Sequence, residues 1–242
     1  MAKARFNFSP NFASMNETQM AILAEAEEIL GKTGVVGLEL KNIASKLGVS
    51  ASLINHYYKT GEELVFETVI YSYQNYVFEV QKLTQNEPDP EKVIRCWVER
   101  TMAWTREYPG IGVILEFPIQ AIRGGSKFSA DSSEILTPFL RVVADIGQQN
   151  VSYLCSAVRC LQKGNKFKVY SALQIATYIK TDARFAMYAS TVGFTTLGGG
   201  LWIAGRQADN IKNPFWMKLG FDPAGQIQAT LNEMIKLIKT GV

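Results

Sequence analysis

The stretch Leu40-Lys-Asn-Ile-Ala-Ser-Lys-Leu-Gly-Val-Ser-Ala-Ser-Leu-Ile-Asn-His-Tyr-Tyr58 decides how the rest of the chain is read. Ile43 and Leu47 lie one helical turn apart, as do Ile54 and Tyr58, so two short helices can turn these pairs toward each other. Small Ala44 lets the helices approach closely. Gly48 supplies the left-handed backbone that a tight turn demands, and the Ser50 hydroxyl is suited to capping the free amides of the next helix. The result is a helix-turn-helix pattern over Ile43 to Tyr58. If Ile54 and Tyr58 face inward, Ala51, Ser52, Asn55 and His56 occupy the opposite face of the second short helix, near its N-terminus.

Helical spacing continues on both sides of this motif. Upstream, Asn16 to Thr33 places Ile22, Ala26, Ile29 and Leu30 on one face and ends at Gly34. Downstream, a helix is predicted from Glu62 to about Leu83, where Asn86-Glu87-Pro88-Asp89-Pro90 breaks it. Pro90 opens a helix to Tyr108, Pro109-Gly110 closes it, and a shorter one follows over Ile111 to Ile122. Ser132 to Gly164 carries Leu136, Leu140, Val143, Gly147, Val151, Leu154, Val158 and Leu161 at alternating three- and four-residue steps, a predicted packing seam. The helical pattern continues over Ser171 to Ala204. A terminal helix, capped by Asp222 with Pro223 first, carries Ile227, Leu231, Met234 and Ile238. No internal repeat or alternating strand pattern interrupts this series, so the fold class is all-α. An N-terminal three-helix helix-turn-helix region precedes a larger helical region. The expected divisions are an arm at 1–15, the helix-turn-helix domain at 16–64, and the larger domain at 65–242.

Composition narrows the function classes. With 242 residues, 47% of them hydrophobic, the chain can bury a large core. Its apolar runs are too short for a membrane span and the N-terminus lacks an apolar signal region, so a soluble cytoplasmic protein without a membrane partner is expected. Cys96, Cys155 and Cys160 are odd in number and lack CxxC spacing, and His56 is the only histidine. Neither a disulfide framework nor a metal site is implied, and no cofactor is called for. GxSxG, HExxH and a second histidine for a conventional triad are missing, which argues against an enzyme. Gly198-Gly199-Gly200 follows no strand and precedes no GK[ST], so it reads as a helix kink or close packing rather than a phosphate loop. The net charge of +3 is small. Its distribution says more: Lys41, Lys46 and Lys59 lie between Leu40 and Gly61 without one acidic residue, whereas Glu17, Glu25, Glu27 and Glu28 crowd the preceding segment.

That basic segment coincides with the exposed face of the second short helix. In this motif class the face enters the major groove of double-stranded DNA. Ser52 and Asn55 can donate to and accept from base edges, Asn being able to pair bidentately with adenine, and small Ala51 permits close backbone approach. Tyr57, Lys59 and Lys41 are placed to reach phosphates. The candidate DNA-binding residues are therefore Lys41, Ser50, Ala51, Ser52, Asn55, His56, Tyr57 and Lys59. In the arm, Lys3 and Arg5 could enter a minor groove, while Phe6, Phe8 and Phe12 could equally tether it to the domain.

Residues Ile22 to Leu64 resemble, without gaps, the DNA-binding domain of the tetracycline-repressor (TetR) family. The resemblance is carried by Ile22-Leu23, Ala26, Ile29-Leu30, Gly34, Ile43-Ala44, Gly48-Val49-Ser50, Ile54-Asn55-His56-Tyr57-Tyr58 and Glu62-Glu63-Leu64. The sequence departs from the family pattern at Glu39, usually Thr, at Asn55, usually Tyr, and at Gly61, usually Lys. Glu39 caps a helix less well than Thr and would repel a phosphate. The resemblance implies a homodimeric transcription regulator, in the commoner case a repressor, that binds a palindromic operator and is released by a small-molecule effector. It also implies an N-terminal three-helix helix-turn-helix DNA-binding domain followed by a larger helical ligand-binding and dimerisation domain beyond about Leu64, with two late helices from each subunit making a four-helix interface, for which Ser171 to Ala204 and Asp222 to Lys239 are the candidates. Aromatic residues of the larger domain could line a cavity for a mostly apolar ligand or could be ordinary core: Trp97, Trp104, Phe117, Tyr153, Tyr178 and Phe185, with Gln120 as a polar contact. Glu99, Glu116, Arg123, Gln148 and Thr177 are further polar candidates. The competing class is a helical small-molecule-binding or interaction module that keeps the helix-turn-helix only as packing.

Overall fold

The structure, a computed structural model, describes residues 12, 15–116, 133–208 and 223–241, and every regular element among them is helical. The helices are α1 (Glu17–Thr33), α2 (Leu40–Leu47), α3 (Ala51–Tyr57), α4 (Gly61–Thr84), α5 (Pro90–Glu107) and α6 (Pro109–Glu116). After a gap come α7 (Ser133–Gln162), α8 (Ala172–Thr181), α9 (Ala183–Ala208) and α10 (Pro223–Thr240). A short 3-10 turn, Val35–Gly37, joins α1 to α2. The arm to Asn11, Phe117 to Ser132 with Gln120 and Arg123, and the Asp222 cap lie outside the described residues.

Local chemistry sets the ends of these helices. Asn16 caps α1 in a reciprocal box with Gln19, Ser50 caps α3 and Thr60 caps α4. Asp89 caps α5, and Pro90 occupies its first turn, where no amide is needed. Gly48 ends α2 at φ 66°, ψ 26°, with its N–H and that of Val49 returning to the last α2 carbonyls. The helical pattern over Ser171 to Ala204 is not one helix. Asp182 interrupts it: its carboxylate accepts the Phe185 N–H at 3.0 Å and the Arg159 guanidinium at 2.6 Å, which starts α9 afresh. Both contacts favour the charged form and hold this carboxyl below its ordinary value.

Two apolar cores run through the molecule. The smaller gathers Ile22, Leu23, Ala26, Ile43, Ala44, Ile54, Tyr58 and Leu64, so α1, α2, α3 and the start of α4 close on one another. The larger begins with Val65 along α4 and takes in α5, α6, α7, α8 through Ile175, α9 and α10. Leu30 and Val35, at the end of α1, belong to this second core and tie the two together. The joint there is backbone against backbone. A Cβ at Gly110 in α6 would lie 2.0 Å from the Leu30 carbonyl oxygen, and one at Gly31 would lie 2.6 Å from Tyr108 Cδ1. Only glycine permits α1 to sit this close to the α5–α6 corner.

The α7 seam is displaced from the sequence pattern by about one residue. Phe139, Ile146, Asn150, Tyr153 and Ala157 point inward, while Leu140 and Val151 are 42% and 44% exposed. Aromatic and amide groups supply part of the true seam, so a pattern built on aliphatic residues alone picks the neighbouring row. Beyond Leu154 both rows are buried, because α4, α5, α8 and α9 enclose this end of α7.

Candidate nucleic-acid interface and effector region

Packing of α3 on α2 and α1 orients the candidate DNA surface. Ile54 and Tyr58 are buried in the smaller core, which leaves Ala51, Ser52, Asn55 and His56 exposed on the other side of α3. Ser50 is spent on capping, its Oγ accepting the Leu53 N–H at 3.2 Å. Lys59 is exposed just after α3. Its backbone N–H is held by the Glu63 carboxylate at 2.7 Å, and no carboxylate pairs with its ammonium among the described residues.

Two sequence-proposed phosphate contacts have protein partners. The Lys41 ammonium pairs with Glu39 at 2.9 Å, and that carboxylate holds Lys41 above its ordinary pKa. Glu39 makes no cap bond to α2, so the residue that departs from the family pattern acts instead on the neighbouring cation. The Tyr57 hydroxyl accepts the Asn16 amide at 3.1 Å, which fixes its ring against the start of α1. Lys46 pairs with Glu25 at 2.6 Å, linking α2 to α1.

At the end of α3, Tyr58 buries a hydroxyl with no hydrogen-bond partner among the described residues. Burial, and then the charge of nearby Glu67, push its pKa up. Glu67 itself is raised to about 7, first by burial and then by Glu63 one turn before it.

Residues 22–68 match the family model described as "Bacterial regulatory proteins, tetR family". Over these residues the chain is similar to the tetR family. The matched segment spans α1 to the second turn of α4 and contains the whole smaller core. Among solved structures, SCO4313, described as a regulatory protein, is similar over 90% of this chain and 95% of its own, at 16% identity and a TM-score of 0.52. The all-helical fold is thus shared along nearly the whole chain. The transcriptional regulator FadR from Bacillus subtilis, solved in complex with stearoyl-CoA, aligns over 93% of this chain and 99% of its own, at 11% identity and a TM-score of 0.49. No curated protein sequence matches the chain.

The aromatic residues proposed for ligand binding fall in three neighbourhoods. Trp97 is fully buried and its indole N–H donates to Asn150 Oδ1 at 2.8 Å, while Trp104 donates to Ser72 Oγ at 3.0 Å and stacks on Tyr76 at 5.3 Å. Tyr76 also shares a hydrogen bond with Thr101, and Asn150 engages both Tyr73 and Tyr76. This is a buried polar cluster between α4, α5 and α7. Tyr153 lies apart, its hydroxyl bonded to Thr84 at 2.7 Å and its ring edge-on to Phe167. Tyr178 and Phe185 form the third group, under the Arg159 guanidinium, which stands 4.5 Å from the Tyr178 ring centre.

Of the further polar candidates, Glu99, Gln148 and Thr177 are exposed. Buried polar residues include instead Ser72, Thr101 and Asn150, which sit with the Tyr73 and Tyr76 hydroxyls. Asn150 could have been found in the sequence as the polar member of the buried row Phe139, Ile146, Tyr153. The described residues include no cluster of three or more metal-ligating side chains and no helix long and apolar enough to cross a membrane.

Proposed function

We propose that the chain is a homodimeric transcriptional regulator that binds a palindromic operator through α3 and is released by a small, mostly apolar effector. The observation that carries this reading is the match of residues 22–68 to the tetR family, coinciding with an α3 face that leaves Ala51, Ser52, Asn55 and His56 free of packing duties. The DNA-binding unit is residues 16–64 and the effector and dimerisation unit residues 65–242. Asn55 and Ser52 read base edges, and Lys59 holds a phosphate. Lys41 serves only when its pairing with Glu39 opens, because the charge near the backbone is otherwise neutralised.

A single short helix makes too few base contacts for useful specificity, whereas two recognition helices about 34 to 36 Å apart read both halves of a palindrome. The late helices are the proposed interface. Met187 and Phe194 stand outward on α9, Phe194 at 78% exposure, and Leu173 and Ile179 do so on α8. The effector site is placed in the larger helical unit, by likeness to the family. An effector acts by binding the DNA-incompetent arrangement better than the competent one. A regulator of this kind works in the cytoplasm.

Fluorescence anisotropy with duplexes from the protein's own promoter region tests the reading. Specific binding above that for random duplex is expected at moderate salt. Asn55→Ala should erode the preference, and Lys59→Ala should weaken all duplexes alike and lower the salt slope by about 1. Equal affinity for every duplex, unchanged in both variants, would mean that the helix-turn-helix serves only as packing.

A further inference from the structure

Where the carboxyl half of α4 passes α7, the surface opens into a groove of about 420 Å³, within the range of small-molecule sites. Its walls combine aromatic and aliphatic carbon with lysine and glutamine side chains. Phe78 of α4 is 65% exposed along it, Val169 is 60% exposed, and Phe167 meets Tyr153 edge-on at 5.2 Å. The loop at 163–171 that forms one wall is fastened on both sides: Phe167 N–H donates to the Pro88 carbonyl at 2.8 Å and Tyr170 N–H to Ser156 Oγ at 3.0 Å. The groove is therefore built into the fold, with exposed aromatic carbon that no described residue covers.

Its charge is one-sided. Lys82 and Lys168 line it together with Gln81 and Gln85, and no carboxylate does. Neither lysine has an ion-pair partner among the described residues. The nearby acids are engaged elsewhere, Glu79 with Arg100 at 2.5 Å and Glu87 with Lys92 at 3.8 Å. The Tyr153 hydroxyl is spent on Thr84, so it leaves the lysines and glutamines as the polar contacts on offer.

We propose that this groove binds a small aromatic carboxylate, with its ring against Phe78 and Phe167 and its carboxylate taken by Lys82 and Lys168. Flat apolar surface beside unpaired cations complements a flat apolar body carrying an anion. A neutral aromatic would leave both ammoniums without an anion, Lys168 having only the Tyr170 ring face at 5.0 Å, and an anion lacking a ring would leave the phenyl faces in water. The site is separate from the buried cluster around Asn150, and its occupancy does not depend on whether the chain binds DNA.

Isothermal titration of the full chain with 2-naphthoate reads this directly. One saturable site is expected, with 2-naphthamide binding about tenfold more weakly. Lys82→Gln and Lys168→Gln should each weaken 2-naphthoate about threefold, and the double variant about tenfold, because both lysines are solvated. Phe78→Ser should also weaken it, whereas Tyr153→Phe should not, since that hydroxyl faces Thr84. All these lysine and Phe78 changes are on the surface and should leave the thermal midpoint nearly unchanged. No saturable heat, equal binding of the amide, or undiminished binding in the double lysine variant would overturn the proposal.

Discussion

Replacing Glu67 by Gln should stabilise the protein at pH 8 and leave it nearly unchanged at pH 5. Glu67 sits on α4 one turn beyond Glu63, beside the buried Tyr58 hydroxyl, and burial followed by the Glu63 charge raises its pKa from 4.5 to about 7. A carboxyl whose folded pKa lies above its unfolded one binds more protons when folded. Stability contributed by this group therefore falls as pH rises from about 4.5, and the full penalty is present above about 7. A shift of that size corresponds to roughly 3 kcal/mol at full value. Because Glu67 is only half-buried, solvent screening reduces the expected figure to on the order of 1–2 kcal/mol. Glutamine copies the shape of the protonated acid and does not ionise, so the difference between wild type and Glu67→Gln isolates this one titration. Urea melts at intervals between pH 5 and 8 would measure it, and near neutral pH the variant's thermal midpoint should rise by roughly 2–8 °C. A difference that is constant with pH, or a variant less stable at pH 8, would refute the argument.

Other substitutions test the glycine contacts and the buried polar cluster. Gly48→Ala should cost about 1 kcal/mol in denaturant melts, because φ is 66° while a new Cβ would meet nothing within 4 Å; Gly48→Asn should recover part of that loss. Gly110→Ala should cost roughly 1–3 kcal/mol or more, since the added carbon would press on the Leu30 carbonyl and the Gly34 backbone, which no rotamer change can relieve. Trp97→Phe keeps most of the ring volume but removes the donor to Asn150, so an expected loss of about 1–3 kcal/mol reports the cost of a stranded buried acceptor. A melting midpoint equal to wild type would show that Asn150 finds another donor.

The helix-turn-helix was legible in sequence because its signals agree. Gly48 permits only one kind of turn, Ser50 caps the helix after it, and Ile43, Ala44, Ile54 and Tyr58 repeat at a spacing that only helices bury together. The larger region offered weaker signals. Its α7 row was misplaced by one residue because Phe139, Asn150 and Tyr153 pack where an aliphatic pattern does not look. The break at Asp182 was hidden because an acid inside a helical pattern is usually an exposed residue, and its role depends on Arg159, distant in sequence. The same distance hid the partners of Lys41 and Tyr57. Local spacing says which face a residue occupies, but an ion pair or hydrogen bond also requires the position of the second element.

Two supports connect the α3 region to the larger core, and they differ in kind. One is α4, a single helix of 24 residues that starts beneath the smaller core and ends at Thr84. At about 1.5 Å per residue it spans roughly 36 Å. The other is the contact of Leu30, Gly31 and Gly34 with Tyr108 and Gly110, where backbone rests on backbone. A displacement of α6 relative to α4 cannot be absorbed there by side-chain rotation, so it must move the end of α1. Since α1 also packs on α4, unequal movement at the two supports rotates the helix-turn-helix as a body rather than loosening it. In the proposed dimer such a rotation changes the separation of the two α3 helices, which is the quantity a palindrome of fixed spacing reads.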